Sequence, residues 1–390
     1  MYKWIEINLD AILNNYLKIR EFINKETKVL GVVKADAYGH GIIEVGQELE
    51  KAGIDYLGVT ELDEGIQLRK AGVEVPILVF EPLLPEESYL YEKFKLTASL
   101  SDFNTIQLIS SRGDSLKVHL KLETGLGRTG LKFPELPGIT ELLKGNSNLE
   151  VEGVYSHLST AMRQDSSYTE QQFAFFQKGV KFLAEKGLKI PLKHICNSAA
   201  LAKFPHMHLD MVRAGTILYG QETGGKHYLG YNLENGWALK GQITYINNLP
   251  QGHPIGYEKG YTLRRNSKTA IVPIGFHHGF SVEPVPRPKG MFDLIKVLGK
   301  IVLRFIDHPR MKTYVKVGDK LSPVLGKVGM QMTIIDITGM DKVKVGDIVE
   351  LPGRRTNISP LLPKVFLKEG KPVKIRKIDE KYEEIRMTAK

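Results

Sequence analysis

The stretch Val32-Val33-Lys34-Ala35-Asp36-Ala37-Tyr38-Gly39-His40-Gly41 decides how this chain is interpreted. It completes an apolar run, residues 29–33, that is typical of a buried strand. Lys34 stands at the carboxyl end of that strand, where an amine is poorly solvated. Poor solvation favours the neutral, nucleophilic form of lysine, which Schiff-base chemistry with an aldehyde cofactor requires. A lone lysine at a strand end more often points to water, so the rest of the chain must supply the context.

Composition limits the classes of protein to consider. The chain has 390 residues, 42% hydrophobic and 25% charged, which is enough for two domains with their own cores. No run of about 18 apolar residues predicts a transmembrane helix, and the first residues lack the pattern of a secretory signal. The single cysteine, Cys196, excludes an intrachain disulfide framework and a multi-cysteine metal site, so no metal is expected. We therefore expect a cytoplasmic protein without a membrane partner.

The net charge of +10 raises the question of nucleic-acid binding. Acidic residues interleave with the basic ones along most of the chain, including its basic C-terminal stretch. We therefore expect no nucleic-acid partner. A basic surface that attracts an anionic cofactor and amino-acid carboxylates, or one that only keeps the protein soluble, accounts for the charge.

Eight short apolar segments predict strands, at residues 29–34, 56–60, 76–80, 96–100, 118–123, 151–157, 192–197 and 211–219. Amphipathic segments between several of them predict helices, for example 42–52, 61–71 and 169–186, and a glycine follows each of these three helices. Eight such units in about 200 residues predict a (β/α)₈ barrel. An open doubly wound sheet is the alternative, but no Gly-x-Gly-x-x-Gly follows the first of these strands to support a dinucleotide fold.

Eight polar residues and one glycine stand at or near the ends of the predicted barrel strands: Lys34, Lys121, Arg128, His157, Asn197, Ser198, Arg213, Gly215 and Thr216. Each has a structural explanation when taken alone. His157 could be a hydrogen-bonded core residue, Arg213 could be paired in the barrel mouth, and Asn197 with Ser198 could cap a helix. Together they predict a site on one rim of the barrel, because packing does not require cations there.

The pattern changes after about residue 235. Short alternating strands separated by glycine, proline and asparagine turns replace the helical segments, which predicts a second, mainly-β domain. We therefore expect a barrel domain at residues 1–235 and a β-rich domain at residues 236–390. The second domain contains Gly256-Tyr257-Glu258, Gly275-Phe276-His277-His278-Gly279 and Met330-Gln331-Met332.

The order of domains and these motifs resemble the alanine racemase family over nearly the whole chain, most closely in the barrel. The resemblance implies an amino-acid racemase that uses pyridoxal 5'-phosphate, with Lys34 carrying the cofactor as a Schiff base. It implies that the cofactor site also contains Tyr38, His157, Asn197, Ser198, Arg213, Gly215 and Thr216. In the family the tyrosine, serine, glycine and threonine positions hold the phosphate, the histidine flanks the pyridine ring, and the arginine faces the pyridine nitrogen.

The resemblance also implies how the substrate is handled. Arg128 reaches the cofactor's phenolic oxygen and the substrate carboxylate, and Met330 lines the substrate site. Lys121 matches a lysine that is carbamylated in many members and braces that arginine. Tyr257 matches the second catalytic base, which enters from the partner subunit of a head-to-tail homodimer. In the family the lysine serves the D-enantiomer and the tyrosine the L-enantiomer.

The second domain departs from the family pattern. Where members usually have Gly-Tyr-Ala-Asp-Gly, this chain has Gly-Phe-His-His-Gly at residues 275–279, and Met-Asp-Gln becomes Met-Gln-Met at residues 330–332. Two carboxylates and a hydroxyl are thus absent from the expected substrate entrance at Phe276, His277, His278 and Gln331. A racemase of another amino acid is therefore an alternative to an alanine racemase.

Two further alternatives share the barrel. Related decarboxylases place a cysteine acid in the second domain, whereas Cys196 lies in the barrel segment, which argues against that activity. Non-catalytic cofactor-binding barrels lack a second domain, so the presence of Tyr257 on an added domain favours catalysis. A cofactor-binding relative with altered catalytic activity is a further alternative.

Overall fold

The structure, a computed structural model, describes residues 1–221, 232–282, 288, 290–306, 308–378 and 384–387. The chain divides into two compact units, Leu9–Gly236 and Met1–Asn8 together with Trp237–Lys390. The change of domain near residue 235 lies close to the predicted position. The first eight residues, however, were predicted to belong to the barrel and belong to the other unit, because strand β1 (Lys3–Asn8) is hydrogen-bonded inside a sheet of that unit.

The unit Leu9–Gly236 contains the eight predicted strands. They are β2 (Lys28–Val32), β3 (Tyr56–Val59), β4 (Ile77–Pro82), β5 (Thr97–Leu100), β6 (Leu116–Lys121), β7 (Leu149–Tyr155), β8 (Leu192–His194) and β9 (Met211–Ala214). All neighbours are parallel, in the order β8-β7-β6-β5-β4-β3-β2-β9. Backbone hydrogen bonds of 3.2 Å from Asp210 to Lys193 and from Arg213 to Cys196 join the two ends of the sheet. The predicted (β/α)₈ barrel is therefore confirmed, and the open sheet is not.

Helices follow the strands. They are α1 (Leu9–Phe22), α2 (Lys34–Gly39), α3 (Ile42–Lys51), α4 (Leu62–Lys70), α5 (Ser88–Lys93), α6 (Phe103–Arg112), α7 (Leu136–Lys144), α8 (Ser167–Glu185) and α9 (Ser198–Lys203). The three helices predicted above correspond to α3, α4 and α8. Gly53, Gly72 and Gly187 follow them with φ of 82°, 86° and 85°, the left-handed conformation that terminates a helix at low cost for glycine. Every residue of β3, β5 and β9 is buried, as expected for strands covered on both faces.

The second unit is mainly β. Its further elements are β10 (Trp237–Gln242), β11 (Tyr245–Leu249), β12 (Pro254–Ile255), β13 (Tyr261–Thr262), β14 (Ser267–Val272), α10 (Met291–Phe305), β15 (Tyr314–Val317), β16 (Lys320–Pro323), β17 (Thr333–Asp336), β18 (Ile348–Leu351), β19 (Lys364–Lys368), β20 (Lys371–Ile378) and β21 (Glu384–Met387). The largest sheet has the order β16-β15-β18-β10-β1-β19-β20-β21. A three-stranded sheet, β11-β14-β17, and the β12-β13 hairpin complete the unit as described.

Candidate active site

A cavity of about 440 Å³ lies in the barrel unit, lined by residues at or beyond the carboxyl ends of its strands. This is the end of such a barrel where active sites are found. Ten of the twelve residues predicted for the site line it: Lys34, Tyr38, Lys121, Arg128, His157, Asn197, Ser198, Arg213, Gly215 and Thr216. The other two, Tyr257 and Met330, belong to the second unit. Folding thus brings together residues that are up to 182 positions apart in the sequence.

Lys34 presents an amine to this cavity. The residue is half-buried, and Nζ forms no hydrogen bond or ion pair with any residue that the structure describes. Burial lowers the pKa of Lys34, the nearby Arg128 cation lowers it further, and Glu64 opposes the change. A larger fraction of neutral amine near pH 7 follows, which is the form that attacks a carbonyl carbon.

The backbone after Lys34 forms a left-handed turn. Residues 35–38 all have φ between 52° and 54°, although none is glycine. This conformation costs about 1–2 kcal/mol for each such residue, so surrounding contacts must hold it. The Asp36 carboxylate accepts the N–H of Ile42 at 2.8 Å, and the Glu64 carboxylate accepts the N–H of Ala35 at 2.5 Å. The turn begins beside Lys34 and ends at Tyr38, and both side chains line the cavity.

Hydroxyl groups form one wall of the cavity. Ser198 Oγ accepts the N–H of Gly215 at 2.9 Å, and a Cβ added to Gly215 would lie 2.9 Å from the Tyr38 hydroxyl oxygen. Glycine at this position therefore leaves room where the two hydroxyls converge. Burial raises the pKa of Tyr38 to about 12, so its phenol is a hydrogen-bond donor at neutral pH. Asn197 has the predicted capping role, since its Oδ1 accepts the N–H of Ala200 at 3.1 Å.

Arg213 is 3% exposed and is held by a dense set of acceptors. Nη1 donates to His194 Nδ1 at 3.0 Å and to the His194 carbonyl at 3.2 Å. Nη2 donates to the carbonyls of Ser156 and Ile195 at 2.8 and 3.0 Å and lies 3.4 Å from His157 Nδ1. Burial lowers the pKa of Arg213 to about 10, which leaves it cationic at neutral pH. Nε forms no hydrogen bond with any residue that the structure describes, and Arg213 lines the cavity.

Lys121 and Arg128 lie on the strand end and loop after β6. Lys121 is 4% exposed and donates to the Thr129 hydroxyl. Burial and the nearby Arg128 and Arg213 cations lower the pKa of Lys121 to about 8. The Glu123 carboxylate accepts the N–H of Gly127 at 3.1 Å and that of Arg128 at 3.4 Å, which fixes the loop that carries the exposed Arg128 side chain.

The predicted residues of the second unit are mostly on its surface. Tyr257 is 81% exposed in a short 3₁₀ turn, and Met330 is 60% exposed. The N–H of His277 donates to the carbonyl of Met330 at 3.0 Å, so these two predicted segments do meet. His278 departs from the expected entrance position. It is 5% exposed, its Nδ1 accepts the N–H of Gly275 at 3.1 Å, and burial lowers its pKa to about 4.

Several side chains that hold the predicted ones were missed in the sequence: Glu64, Glu123, Tyr155, His119 and His194. The Tyr155 ring stacks on His194 with centroids 5.0 Å apart, and its hydroxyl lies 2.7 Å from Ser99 Oγ. His119 and Glu123 each stand two residues from Lys121, and Tyr155 stands two residues before His157, so the alternation of the predicted strands was a usable signal for these three. Glu64 and His194 act through contacts between distant segments, which periodicity does not reveal.

The fold and this cavity define a class of protein, a two-domain enzyme with a (β/α)₈ barrel and a mainly-β domain. The family description "Alanine racemase, N-terminal domain" matches residues 7–223, and "Alanine racemase, C-terminal domain" matches residues 237–361. The chain belongs to the alanine racemase family.

Individual relatives agree with this assignment. An alanine racemase of Methanococcus maripaludis is 35% identical over 360 residues, which cover 90% of this chain and 89% of the relative. Alanine racemase 1 of Caldanaerobacter subterraneus subsp. tengcongensis is 33% identical over 358 residues, 90% of this chain and 86% of the relative. The solved structure of the Clostridium difficile 630 alanine racemase aligns with a TM-score of 0.85 at 30% identity, over 97% of this chain and 98% of that chain.

Proposed function

We propose that this protein is a pyridoxal 5'-phosphate-dependent racemase that interconverts L- and D-alanine. The observation that carries the proposal is the Lys34 amine, which faces a hydroxyl-lined and guanidinium-lined cavity with its pKa lowered by burial. The names of the relatives support alanine as the substrate.

The phosphate end of the cofactor fits one wall of the cavity. The hydroxyls of Tyr38, Ser198 and Thr216 offer donors to phosphate oxygens there. Gly215 lacks the Cβ that would otherwise reach to 2.9 Å from the Tyr38 hydroxyl oxygen, so this wall keeps room for the group. We infer that these residues hold the phosphate.

Other residues of the cavity suit the pyridine ring of the cofactor. The free Nε–H of Arg213 suits a pyridine nitrogen that accepts a hydrogen bond, since a guanidinium cannot supply a proton at ordinary pH. His157, whose pKa burial and the nearby cations lower to about 3, is neutral and suits a position beside an aromatic ring. Lys34 is the amine that would bind the aldehyde carbon.

Racemisation at Cα requires a base on each face, because the proton leaves from one side and arrives on the other. When bound, pyridoxal phosphate withdraws electrons from the Cα–H bond of the amino acid attached to it. In our proposal Lys34 Nζ removes or delivers the proton of the D-enantiomer, and the Tyr257 phenolic oxygen does so for the L-enantiomer. The lowered pKa of Lys34 favours the neutral amine that this role needs.

Arg128 is proposed to bind the substrate carboxylate, with Met330 beside the substrate. Lys121 is proposed to be carbamylated, a reaction in which its nitrogen bonds the carbon of CO₂ and a proton is released. The pKa of about 8 supports this, because the neutral amine is the reactive form. The resulting anion would pair with Arg128 and orient it.

Tyr257 is 81% exposed on the second unit, which supports a composite site in an assembly. We propose a head-to-tail homodimer in which each cavity receives the partner subunit's Tyr257. Each dimer would then contain two complete sites.

The proposal is tested by incubating the purified protein with the cofactor and L-alanine and separating the enantiomers by chiral chromatography. We expect D-alanine to accumulate until the two forms are equal, and Lys34→Ala to abolish the conversion. Lys181→Ala, which changes a lysine whose side chain is 79% exposed, is the matched control and should retain activity. Borohydride reduction followed by peptide mapping should place the cofactor on Lys34.

Failure of every L-amino acid to racemise would reject the activity, and a label on another lysine would reject the assignment of Lys34. The same assay across amino acids tests the alternative of another substrate. The decarboxylase alternative receives no support, because Cys196 is buried, donates to the Met207 carbonyl at 3.1 Å, and has its pKa raised by burial to about 12.

A further inference from the structure

Helix α10 is the largest apolar feature that the proposed racemase function leaves unused. No residue with described burial in this 15-residue helix is buried. Seven of its apolar side chains are more than half exposed: Met291, Phe292, Ile295, Leu298, Ile301, Val302 and Phe305. Exposed apolar surface of this extent marks a place of interaction.

The charged residues of α10 are confined to one stripe. At the helical spacing of about 100° per residue, Asp293, Lys296, Lys300 and Arg304 fall within an arc of about 80°. The remaining circumference carries the apolar residues and Gly299. Three of the four charges are cationic, and the exposed Arg310 follows in the next turn.

We propose that α10 is a membrane-surface helix that binds bilayers containing anionic lipid. In such a position the apolar arc lies at the boundary between headgroups and acyl chains, and the charged stripe faces the headgroups and water. Lys296 Nζ lies 4.2 Å from the centroid of the Phe292 ring, at the edge of the apolar arc. Long cationic side chains at that edge can reach anionic headgroups, which gives the charge complementarity.

This proposal differs from the sequence-based expectation of no membrane partner, which rested on the absence of a spanning segment. No helix in the described part of the chain is long and apolar enough to cross a bilayer. A helix of 15 residues is about 22 Å long and lies along the interface instead.

The test is co-sedimentation of the full chain with vesicles of phosphatidylcholine and phosphatidylglycerol in equal amounts, and with vesicles of phosphatidylcholine alone. We expect binding to the anionic vesicles that is at least about tenfold tighter than to the neutral ones and that weakens with salt. The double variant Leu298→Glu/Val302→Glu should lose binding, and the triple variant Lys296→Gln/Lys300→Gln/Arg304→Gln should lose the preference for anionic lipid.

Leu321→Glu/Val345→Glu is the matched control, because these residues are 66% and 56% exposed outside α10. It should bind vesicles like the unchanged protein, and circular dichroism should show that all variants remain folded. Absence of vesicle binding, equal binding to neutral vesicles, or unchanged binding by the Leu298→Glu/Val302→Glu variant overturns the proposal. Self-association that depends on α10 without vesicle binding also overturns it and assigns the helix to a second copy of this chain.

Discussion

Arg213 donates a hydrogen bond from Nη1 to Nδ1 of His194 over 3.0 Å, and this bond sets the state of two histidines. A guanidinium has no acceptor, so His194 Nδ1 is unprotonated and its ring carries the proton on Nε2. That nitrogen lies 2.9 Å from Nδ1 of His119, which therefore accepts the bond and carries its own proton on Nε2. Burial, together with the Arg213 cation, lowers the pKa of both rings, so both are neutral at pH 7.

Replacement of His119 tests this arrangement. His119→Phe keeps an aromatic ring and removes the His119 Nε2–H, which is buried without a partner among the described residues, but it also removes the acceptor of the His194 Nε2–H and leaves that donor unpaired. We expect the loss of this hydrogen bond to outweigh the relief at His119 Nε2, so the free energy of unfolding, measured by urea titration, should fall by about 1 kcal/mol. His253→Phe, at an exposed histidine, is the control and should stay within about 0.5 kcal/mol. Equal effects of the two changes would contradict the hydrogen-bond assignment.

The same histidines predict how stability depends on pH. In the unfolded chain a histidine has a pKa of about 6.5. Folding lowers the pKa of His119 to about 3 and that of His194 well below its ordinary value. The unfolded state therefore binds protons that the folded state does not. The free energy of unfolding is thus highest above pH 6.5 and decreases as the pH falls towards 3.

Each of these two histidines should make the free energy of unfolding decrease as the pH falls from 7 to 5, because the unfolded chain takes up a proton that the folded ring does not. Urea unfolding at pH 7 and pH 5 measures this decrease, and His119→Phe should make it smaller. A variant with the same decrease as the unchanged protein would show that His119 does not titrate in this way.

Gly215→Ala tests the hydroxyl-lined wall. Its Cβ would lie 2.9 Å from the Tyr38 hydroxyl oxygen and 3.5 Å from Ser198 Oγ, so it would displace the two groups that we propose hold the phosphate. We expect the affinity for pyridoxal phosphate, measured by absorbance titration, to fall about tenfold, or about 1.4 kcal/mol. Gly145→Ala is the control, since its Cβ would meet only ordinary contacts at 3.6 Å or more. Unchanged affinity in Gly215→Ala would remove this wall from the phosphate site.

Mixed dimers test the composite site. Lys34→Ala and Tyr257→Phe should each be inactive or nearly so, because each lacks one of the two proposed bases. A mixture of the two variants should regain activity, since one site of a mixed dimer then has both residues. Recovery is measured by chiral chromatography, with subunit exchange shown separately by differently tagged chains. Exchange without recovery would argue that Tyr257 does not complete the partner's site.

Gln331→Asp tests the rebuilt entrance. Gln331 is exposed, and an added carboxylate near the proposed substrate path should attract cationic side chains. One such charge interaction is worth about 1 kcal/mol, so the ratio of kcat/KM for lysine to that for alanine should rise about fivefold. The buried His278 is no longer a candidate for this role, and His278→Asp should instead destabilise the protein. An unchanged ratio in Gln331→Asp would place that residue away from the substrate.

The sequence by itself determined the barrel and predicted that ten of the candidate residues meet at one cavity. Apolar runs with helical segments between them dictate parallel strands, and parallel strands in a barrel bring Lys34, Lys121, His157 and Arg213 to one rim whatever the details of packing. The sequence also predicted the change to a β-rich domain after about residue 235.

Only the tertiary structure decided the features that depend on distant partners. The left-handed turn at residues 35–38 contains no glycine that would predict it, and it depends on the Glu64 carboxylate from α4. The proton positions on His194 and His119 follow from a guanidinium on another strand, and β1 joins the second unit through hydrogen bonds to β10 and β19. Local sequence patterns record the preference of a segment for helix or strand, whereas these features take their free energy from groups that meet only after the chain has folded.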